Sequence, residues 1–463
     1  MTIPKHIFRE YDVRGLAGID LTSEFAEALA VAYAVYFKKN VTKLEDSRKK
    51  PLVSVGRDCR LSSDEYAEAV IRGLLKSGFD VIDLGVCPTP LTYFSVFHLN
   101  LDGAIMITGS HNPAEYNGFK ICLGKGSLHG SQIQDLRKIM ESHPKLDAAP
   151  GTLSSYGIID AYIDFQVSKF PGLKNKKIVL DAGNGTASTV APILFERLGA
   201  TVIPLYCELD GRFPNHHPDP TVPENLKVLI ETVKREKADF GVGFDGDSDR
   251  IGVVDERGNV IYGDELMIIY ARDVLAHNPG ATIISEVKSS HKLYQDIAKN
   301  GGVPIMWKTG HSLIKSKMKE SKALLAGEMS GHIFFADRYF GYDDAIYGAI
   351  RLYEIVQNIS KPASSLLADL PKTFNTPEIR VDCPDEHKFQ IVARAKELLS
   401  KTNKINDIDG VRIETKQGWC LIRASNTQPV LVLRFEAESE NYLAEMRSMV
   451  DRALEQAKSD VQR

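Results

Sequence analysis

The chain has 463 residues, 57 Lys and Arg against 61 Asp and Glu, and a formal net charge of −4. That balance excludes a protein held to nucleic acid or a membrane surface by bulk charge, and 43% hydrophobic with 25% charged residues is the make-up of a soluble globular chain. Six scattered cysteines without a C-x-x-C pair exclude a zinc ribbon or disulfide framework and fit a reducing, cytoplasmic setting.

The start of the chain, residues 1–15, lacks the apolar core of a signal peptide. The longest apolar run, 28–37, is too short to span a bilayer and reads as a buried helix. From residue 52 a pattern recurs three times: an apolar strand ending in a polar loop, a helix, then a glycine leading into a second strand. The strands fall at 52–55 and 81–84, at 177–180 and 202–205, and at 282–285 and 303–306. Short apolar strands alternating with helices predict βαβ units and mostly parallel sheets. Each copy continues into a further strand, at 104–107, 240–244 and 323–326. Ligands of open α/β sheets bind at the carboxyl ends of strands, so three equivalent strand ends predict one shared site.

The first of these ends delivers Thr108-Gly109-Ser110-His111-Asn112-Pro113. Its composition suits a serine that accepts and donates a phosphoryl group: Gly109 permits close backbone approach to a ligand, and His111 can shuttle protons. The second delivers Asp245-Gly246-Asp247-Ser248-Asp249-Arg250. Small intervening residues let three carboxylates face one point, and an oxygen-only set selects Mg²⁺, Mn²⁺ or Ca²⁺. An EF-hand is excluded, because its sixth position requires glycine and here is Arg250. Mg²⁺ completes its shell with phosphate oxygen, which a phosphorylated Ser110 would supply; Arg250 is either a helper or a structural salt bridge. The third delivers Gly327-Glu328-Met329-Ser330-Gly331-His332, where a carboxylate and a hydroxyl suit vicinal sugar hydroxyls.

After about residue 371 the pattern changes. Strands at 378–381, 411–413, 420–422 and 430–433, with helices at 386–399 and 440–458, predict a small α+β domain. Between two of its strands lies Arg423-Ala424-Ser425-Asn426-Thr427-Gln428-Pro429, whose arginine, hydroxyls, amide and turn backbone suit a phosphate dianion.

Taken in this order and spacing, the four loops resemble those of the α-D-phosphohexomutase superfamily, and within it the bacterial phosphomannomutase/phosphoglucomutase branch. Asn117-Gly118-Phe119-Lys120, the stretch from Phe8 to Gly15, the stretch from Phe213 to Pro220 and Trp307-Lys308-Thr309-Gly310-His311 match as well. The resemblance covers essentially the whole chain. It implies three related α/β domains with mixed or parallel sheets (1–154, 155–258, 259–371) and a C-terminal α+β domain (372–463) resembling the TATA-binding-protein fold, around one central cleft. It further implies a phosphoserine at Ser110, Mg²⁺ on Asp245, Asp247 and Asp249 with Ser110 completing the shell, sugar contacts from Glu328 and Ser330, and substrate phosphate on Arg423, Ser425, Asn426 and Thr427. Arg14, Lys120, Lys288 and His332 match positions around the reacting centre, and Tyr11, His111 and His311 are additional candidates. Ser248 stands where many relatives have glycine. Met329 in the sugar loop favours the mannose/glucose enzymes over the glucosamine ones.

The activity implied is exchange of a phosphoryl group between the 1- and 6-positions of mannose and glucose phosphates, through a hexose 1,6-bisphosphate that turns end for end, in a monomer hinged at 370–374. Among general bases, His332, His111 and Lys120 compete. Phosphoglucosamine mutase, a phosphoserine hydrolase and a non-catalytic sugar-phosphate sensor are the alternatives.

Overall fold

A computed structural model describes residues 3–144, 146–359, 361–425 and 428–462. Gly103–Ile107 is buried along its whole length and pairs in parallel with Leu52–Arg57, which pairs in parallel with Asp80–Val86. Strands covered on both faces read as continuous apolar runs, which is why this pattern was visible in the sequence. Tyr116–Leu123 returns antiparallel beside Gly103–Ile107, and Val13–Leu16 forms that edge. The expected helix over the apolar run is Ser23–Asn40, with Leu29, Tyr33 and Phe37 buried on its inner side.

The same arrangement occurs twice more. Phe240–Phe244 lies parallel to Lys177–Asp181, which lies parallel to Thr201–Leu205, and Ile251–Asp255 returns antiparallel. Leu325–Gly327 lies parallel to Thr282–Glu286, which lies parallel to Val303–Trp307, and Ile333–Phe335 returns antiparallel. In all three units the strand bearing the unusual loop sits between the first strand and the returning one. The three loops therefore leave equivalent carboxyl ends.

Three details differ from expectation. The third loop-bearing strand is Leu325–Gly327 rather than 323–326. The preceding helix His311–Ser321 ends in a left-handed Lys322, and the Ala323 N–H caps Met318 O, so Ala323 belongs to the helix end. Val260–Ile261 pairs with Ile251–Asp255 across a turn in which the Gly258 N–H bonds Asp255 O, so the second sheet reaches past residue 258. Leu153–Ser155 pairs with Asp80–Val86 and spans the expected division after 154.

The last sheet is antiparallel. Val430–Ala437 pairs with Gly418–Ala424, Ile379–Asp382 and Phe374–Asn375. The helices Asp385–Leu399 and Glu440–Gln462 pack on each other and on this sheet through Ile391, Ala395, Val450 and Leu454. One apolar core runs without interruption through the first three units, from Phe94 through Tyr162, Phe240 and Tyr270 to Tyr347. The C-terminal unit has its own core and meets the third unit through a small cluster of Val287, Trp419 and Leu421. Hydrophobic stabilisation scales with buried apolar area, so apolar packing ties the first three units to one another more than to the fourth, which is held largely by polar contacts such as Arg412 donating to the carbonyls of Val287 (2.5 Å) and Ser289 (2.8 Å). Among the described residues no helix is long and apolar enough to cross a membrane.

Candidate functional site

Ser110 is 2% exposed and has φ 50°, a left-handed conformation that costs a non-glycine residue roughly 1–3 kcal/mol. A buried arginine that the sequence reading did not select holds it there. The Arg60 guanidinium donates to the carbonyls of Ser110 (2.8 Å), Asn112 (2.5 Å), Pro113 (2.5 Å) and Tyr116 (2.9 Å), and is paired with Asp58 (3.1 Å). Gly109 serves this staple rather than a ligand, since a Cβ there would stand 2.6 Å from the Arg60 guanidinium. The Ser110 hydroxyl lies 3.0 Å from Asp245 Oδ2 and 3.1 Å from His111 Nδ1. Arg14 donates to Asn112 of the same loop (3.0 Å) and pairs with Asp12. Shielding from solvent, reinforced by Arg250 and Arg14, pushes His111 well below the usual imidazole value.

Asp245, Asp247 and Asp249 are fully buried, and one oxygen of each lies within 4.8 Å of the others. Burial, then the charges of Asp249 and Asp247, raise Asp245 well above the ordinary carboxylate range. Lys120 answers part of this charge through ion pairs to Asp247 Oδ2 (2.7 Å) and Asp249. Burial disfavours its ammonium, but the two aspartates outweigh burial and raise its pKa. Asp247 Oδ1 and Asp249 Oδ1 remain buried without a hydrogen-bond partner. Buried unpaired carboxylate oxygens are costly, and an all-oxygen set with two orphaned atoms fits a hard divalent cation. Ser248 adopts φ 64°, fixed by a 3.0 Å bond between its hydroxyl and that of Thr186, so the loop keeps its curl without a glycine. Gly246 is needed for the approach of the two loops, because a Cβ there would stand 2.6 Å from the Ser110 carbonyl.

The third loop is joined to the second by main chain. Arg250 and His332 form a β-bridge, the Ile251 N–H bonds Gly331 O at 3.0 Å, and Arg250 Nε donates to His332 Nε2 at 3.0 Å. The buried Asp343, another residue the sequence reading missed, faces His332 Nδ1 (3.2 Å), His311 Nδ1 (3.6 Å) and Lys315 Nζ (2.9 Å). Burial, then Lys315, holds His311 well below the usual imidazole value. Glu328 accepts the Gly310 N–H at 2.7 Å, and burial raises its pKa. Ser330 sits half-buried in the turn closed by the Gly331 N–H on Glu328 O. Tyr11 reaches across from the first unit to donate to Thr309 O at 2.6 Å, with its ring edge-on to His311.

The fourth unit completes the cleft. Arg423 is buried and pairs with Asp409 (3.1 Å), which also accepts the Thr309 N–H (3.1 Å). Ser425 is buried at the end of that strand, its hydroxyl accepting the Gln428 N–H at 3.1 Å. Asn426 and Thr427 lie outside the described residues. Lys288 is buried between Glu286 (3.9 Å) and Glu378 (3.3 Å). Lys288, before the opposing effect of burial, depresses Glu378 to about 2 from an ordinary value of 4.5. A depressed carboxylate contributes stability that is complete above its unfolded pKa and lost as pH falls through the folded one. The melting temperature of wild type should therefore exceed that of Glu378→Gln by a few degrees above pH 5, and the gap should close between pH 4.5 and pH 2. A gap independent of pH would detach Glu378 from Lys288.

Thus the described residues of all four loops converge, and Arg60, Asp343, Glu286 and Asp409 orient them. Of these, only Asp58-x-Arg60 after a strand end offered a local signal. The others depend on partners far along the chain.

Buried carboxylates beside a serine hydroxyl, with a buried arginine on the C-terminal unit, have the chemistry of the class of phosphoryl-transfer sites. Four profiles of one family cover the chain: phosphoglucomutase/phosphomannomutase alpha/beta/alpha domains I, II and III match residues 5–147, 160–258 and 262–374, and the C-terminal domain matches 378–453. The phosphomannomutase/phosphoglucomutase of Pseudomonas aeruginosa is 46% identical over 97% of this chain and 95% of its own length. The phosphoglucomutase of Neisseria gonorrhoeae is 43% identical over 95% of this chain and 94% of its own. A crystal structure of a phosphoglucomutase/phosphomannomutase family protein from Burkholderia thailandensis superimposes with a TM-score of 0.91 at 39% identity, covering 99% of this chain and 98% of that one. This chain belongs to the phosphoglucomutase/phosphomannomutase family.

Proposed function

We infer that the protein interconverts hexose 1- and 6-phosphates, of mannose and of glucose, with Mg²⁺ on Asp245, Asp247 and Asp249 and a phosphoserine at Ser110. The observation that carries this reading is the Ser110 hydroxyl 3.0 Å from Asp245 Oδ2 in a buried, all-oxygen carboxylate set. When bound, the metal supplies charge neutralisation over the transferring phosphoryl oxygens.

In the first half-reaction the free 6-hydroxyl of a hexose 1-phosphate attacks phospho-Ser110. The new O6–P bond forms as the P–Oγ bond breaks, the hydroxyl proton passes to a base of the site, and Ser110 Oγ leaves with a proton from His111 Nδ1, 3.1 Å away. The hexose 1,6-bisphosphate turns, and Ser110 Oγ, giving its proton back to His111, attacks the 1-phosphoryl group; the Oγ–P bond forms as the P–O1 bond breaks, and O1 takes up the proton held by the base of the first half-reaction. Arg14 and Arg250 flank the transferring group. Glu328 and Ser330 hold the 3- and 4-hydroxyls, which glucose and mannose share. Arg423 and Ser425, with Asn426 and Thr427, hold the remote phosphate, and Lys288 exchanges Glu378 for that phosphate. Tyr11 and His311 line the passage, and His332 is oriented by Arg250 and Asp343. Each of the four units contributes one loop, divided near residues 154, 258 and 371. We read the protein as a monomer in a cytoplasmic setting, the latter favoured by six free cysteines.

Arg423→Ala should raise KM for glucose 1-phosphate at least tenfold, since a charge-assisted phosphate contact contributes about 1.5–3 kcal/mol. An unchanged KM would remove this arginine from the cradle. Comparing kcat/KM for mannose, glucose and glucosamine 1-phosphates, with catalytic hexose 1,6-bisphosphate present, tests the substrate. Preference for glucosamine would favour the phosphoglucosamine reading, and release of inorganic phosphate would favour a hydrolase.

A further inference from the structure

The segment from Phe213 to Pro220, which matched the family in sequence, has no part in the chemistry above, yet it lies between the two loops that must meet. It belongs to a long irregular stretch between Thr201–Leu205 and Pro223–Leu226. Such stretches inside compact domains are seldom idle. On one side it touches the serine loop. The Phe213 ring lies 5.0 Å from the Arg60 guanidinium that staples Ser110, and Gly211 packs so closely on Cys59 and Arg60 that a Cβ would stand 2.2 Å from the Cys59 carbonyl. On the other side it touches the metal loop. Pro218 lies against Gly246, and Pro220 packs on Gly252.

One ion pair fastens this segment to the second sheet. His216 Nε2 lies 3.1 and 3.2 Å from the two oxygens of Asp181, at the end of the first strand of that unit. The Asp181 side chain is 1% exposed, and one of its oxygens also accepts the Gly183 N–H at 2.9 Å. Asn215 adds a 2.7 Å bond to Asn184. Removing one partner of a buried pair is costly because the other is left uncompensated, so this carboxylate holds the histidine, and through it the segment, in one place.

We propose that the segment 211–219, pinned by His216 on Asp181, is a positioning element that fixes the approach of the Ser110 loop to the aspartate loop. His216 and Asp181 touch neither substrate nor the reacting atoms; they act through Phe213 and Gly211 on Arg60 and through Pro218 on Gly246. The inference rests on the mutase reading only for its kinetic consequence. A misplacement of about 1 Å between reacting groups costs on the order of 100-fold in rate, whereas the sugar and remote-phosphate contacts lie on other units.

The experiment compares the full chain with His216→Ala, Asp181→Asn, the double variant and His216→Gln, which keeps an N–H donor for Asp181. Steady-state turnover of glucose 1-phosphate should show kcat lowered about tenfold or more in the first two, with KM within twofold of wild type. The double variant should be no slower than the slower single, and His216→Gln should recover most of the loss. Amide hydrogen exchange should be faster in peptides covering 106–116 and unchanged in the fourth unit. Unchanged exchange at 106–116 with unchanged kcat, multiplicative losses in the double variant, or loss appearing in KM alone would each overturn the proposal. If His216→Ala does not accumulate folded, Asp181→Asn and His216→Gln read the same split. Absence of wild-type turnover would instead sink the mutase reading, and the exchange comparison would still decide the positioning role.

Discussion

Ser110→Ala should abolish turnover, by about 10⁴-fold or more, while leaving the fold and the affinity for hexose phosphate nearly intact. Deleting the attacking group of a covalent mechanism removes a bond that exists only along the reaction path, so the loss appears in kcat. The structure sharpens this expectation. The hydroxyl is 2% exposed and its backbone is set by four carbonyl contacts to Arg60, none of which involves the side chain. Truncation therefore leaves the staple in place, and a small methyl group fills the position without strain. Intact-protein mass after incubation with hexose 1,6-bisphosphate should show one added phosphoryl group in wild type and none in Ser110→Ala. Phosphorylation of both, or residual turnover above one part in a hundred, would place the nucleophile elsewhere.

Asp247→Ala should cost about 10³-fold in metal-dependent turnover, the scale expected when charge stabilisation of a transferring group is lost. Chelation of wild type should do the same, and added Mg²⁺ should restore wild type but not the variant. Asp247 also accepts the Thr89 hydroxyl at 2.6 Å and the Lys120 ammonium at 2.7 Å. Removing it leaves Lys120 with Asp249 alone, yet it also relieves the repulsion among three buried carboxylates. These opposing effects predict little net change in melting temperature without metal. The readout is then the metal itself: added Mg²⁺ should raise the melting temperature of wild type, because it binds only the folded state, and should not move that of Asp247→Ala. Equal stabilisation of both proteins would take the aspartate loop out of the metal site.

Local chemistry made the four loops readable. Alternating aspartates and small residues, a serine framed by Gly109 and His111, and apolar strands buried on both faces are properties of a few neighbouring residues. They carried the threefold βαβ pattern and singled out the serine and the three aspartates that the fold brings together. The third strand was misjudged by two residues because a left-handed helix cap at Lys322 looks like an ordinary apolar continuation until the backbone is seen. Gly109 was assigned to ligand approach because no local signal shows that Arg60 fills the space beside it.

Tertiary structure decided which charges answer which. That Lys120 pairs with Asp247 and Asp249, that Asp343 faces His332 and His311, that Arg250 bridges to the third loop, and that Asp409 ties Arg423 to Thr309 all depend on partners 80 to 130 residues apart or on chain reversals. The sequence by itself determined what each loop can do, because donor type and backbone freedom are local. Which loops meet, and in what protonation state, was left to the fold, because burial and the distance between charges exist only once the sheets have packed.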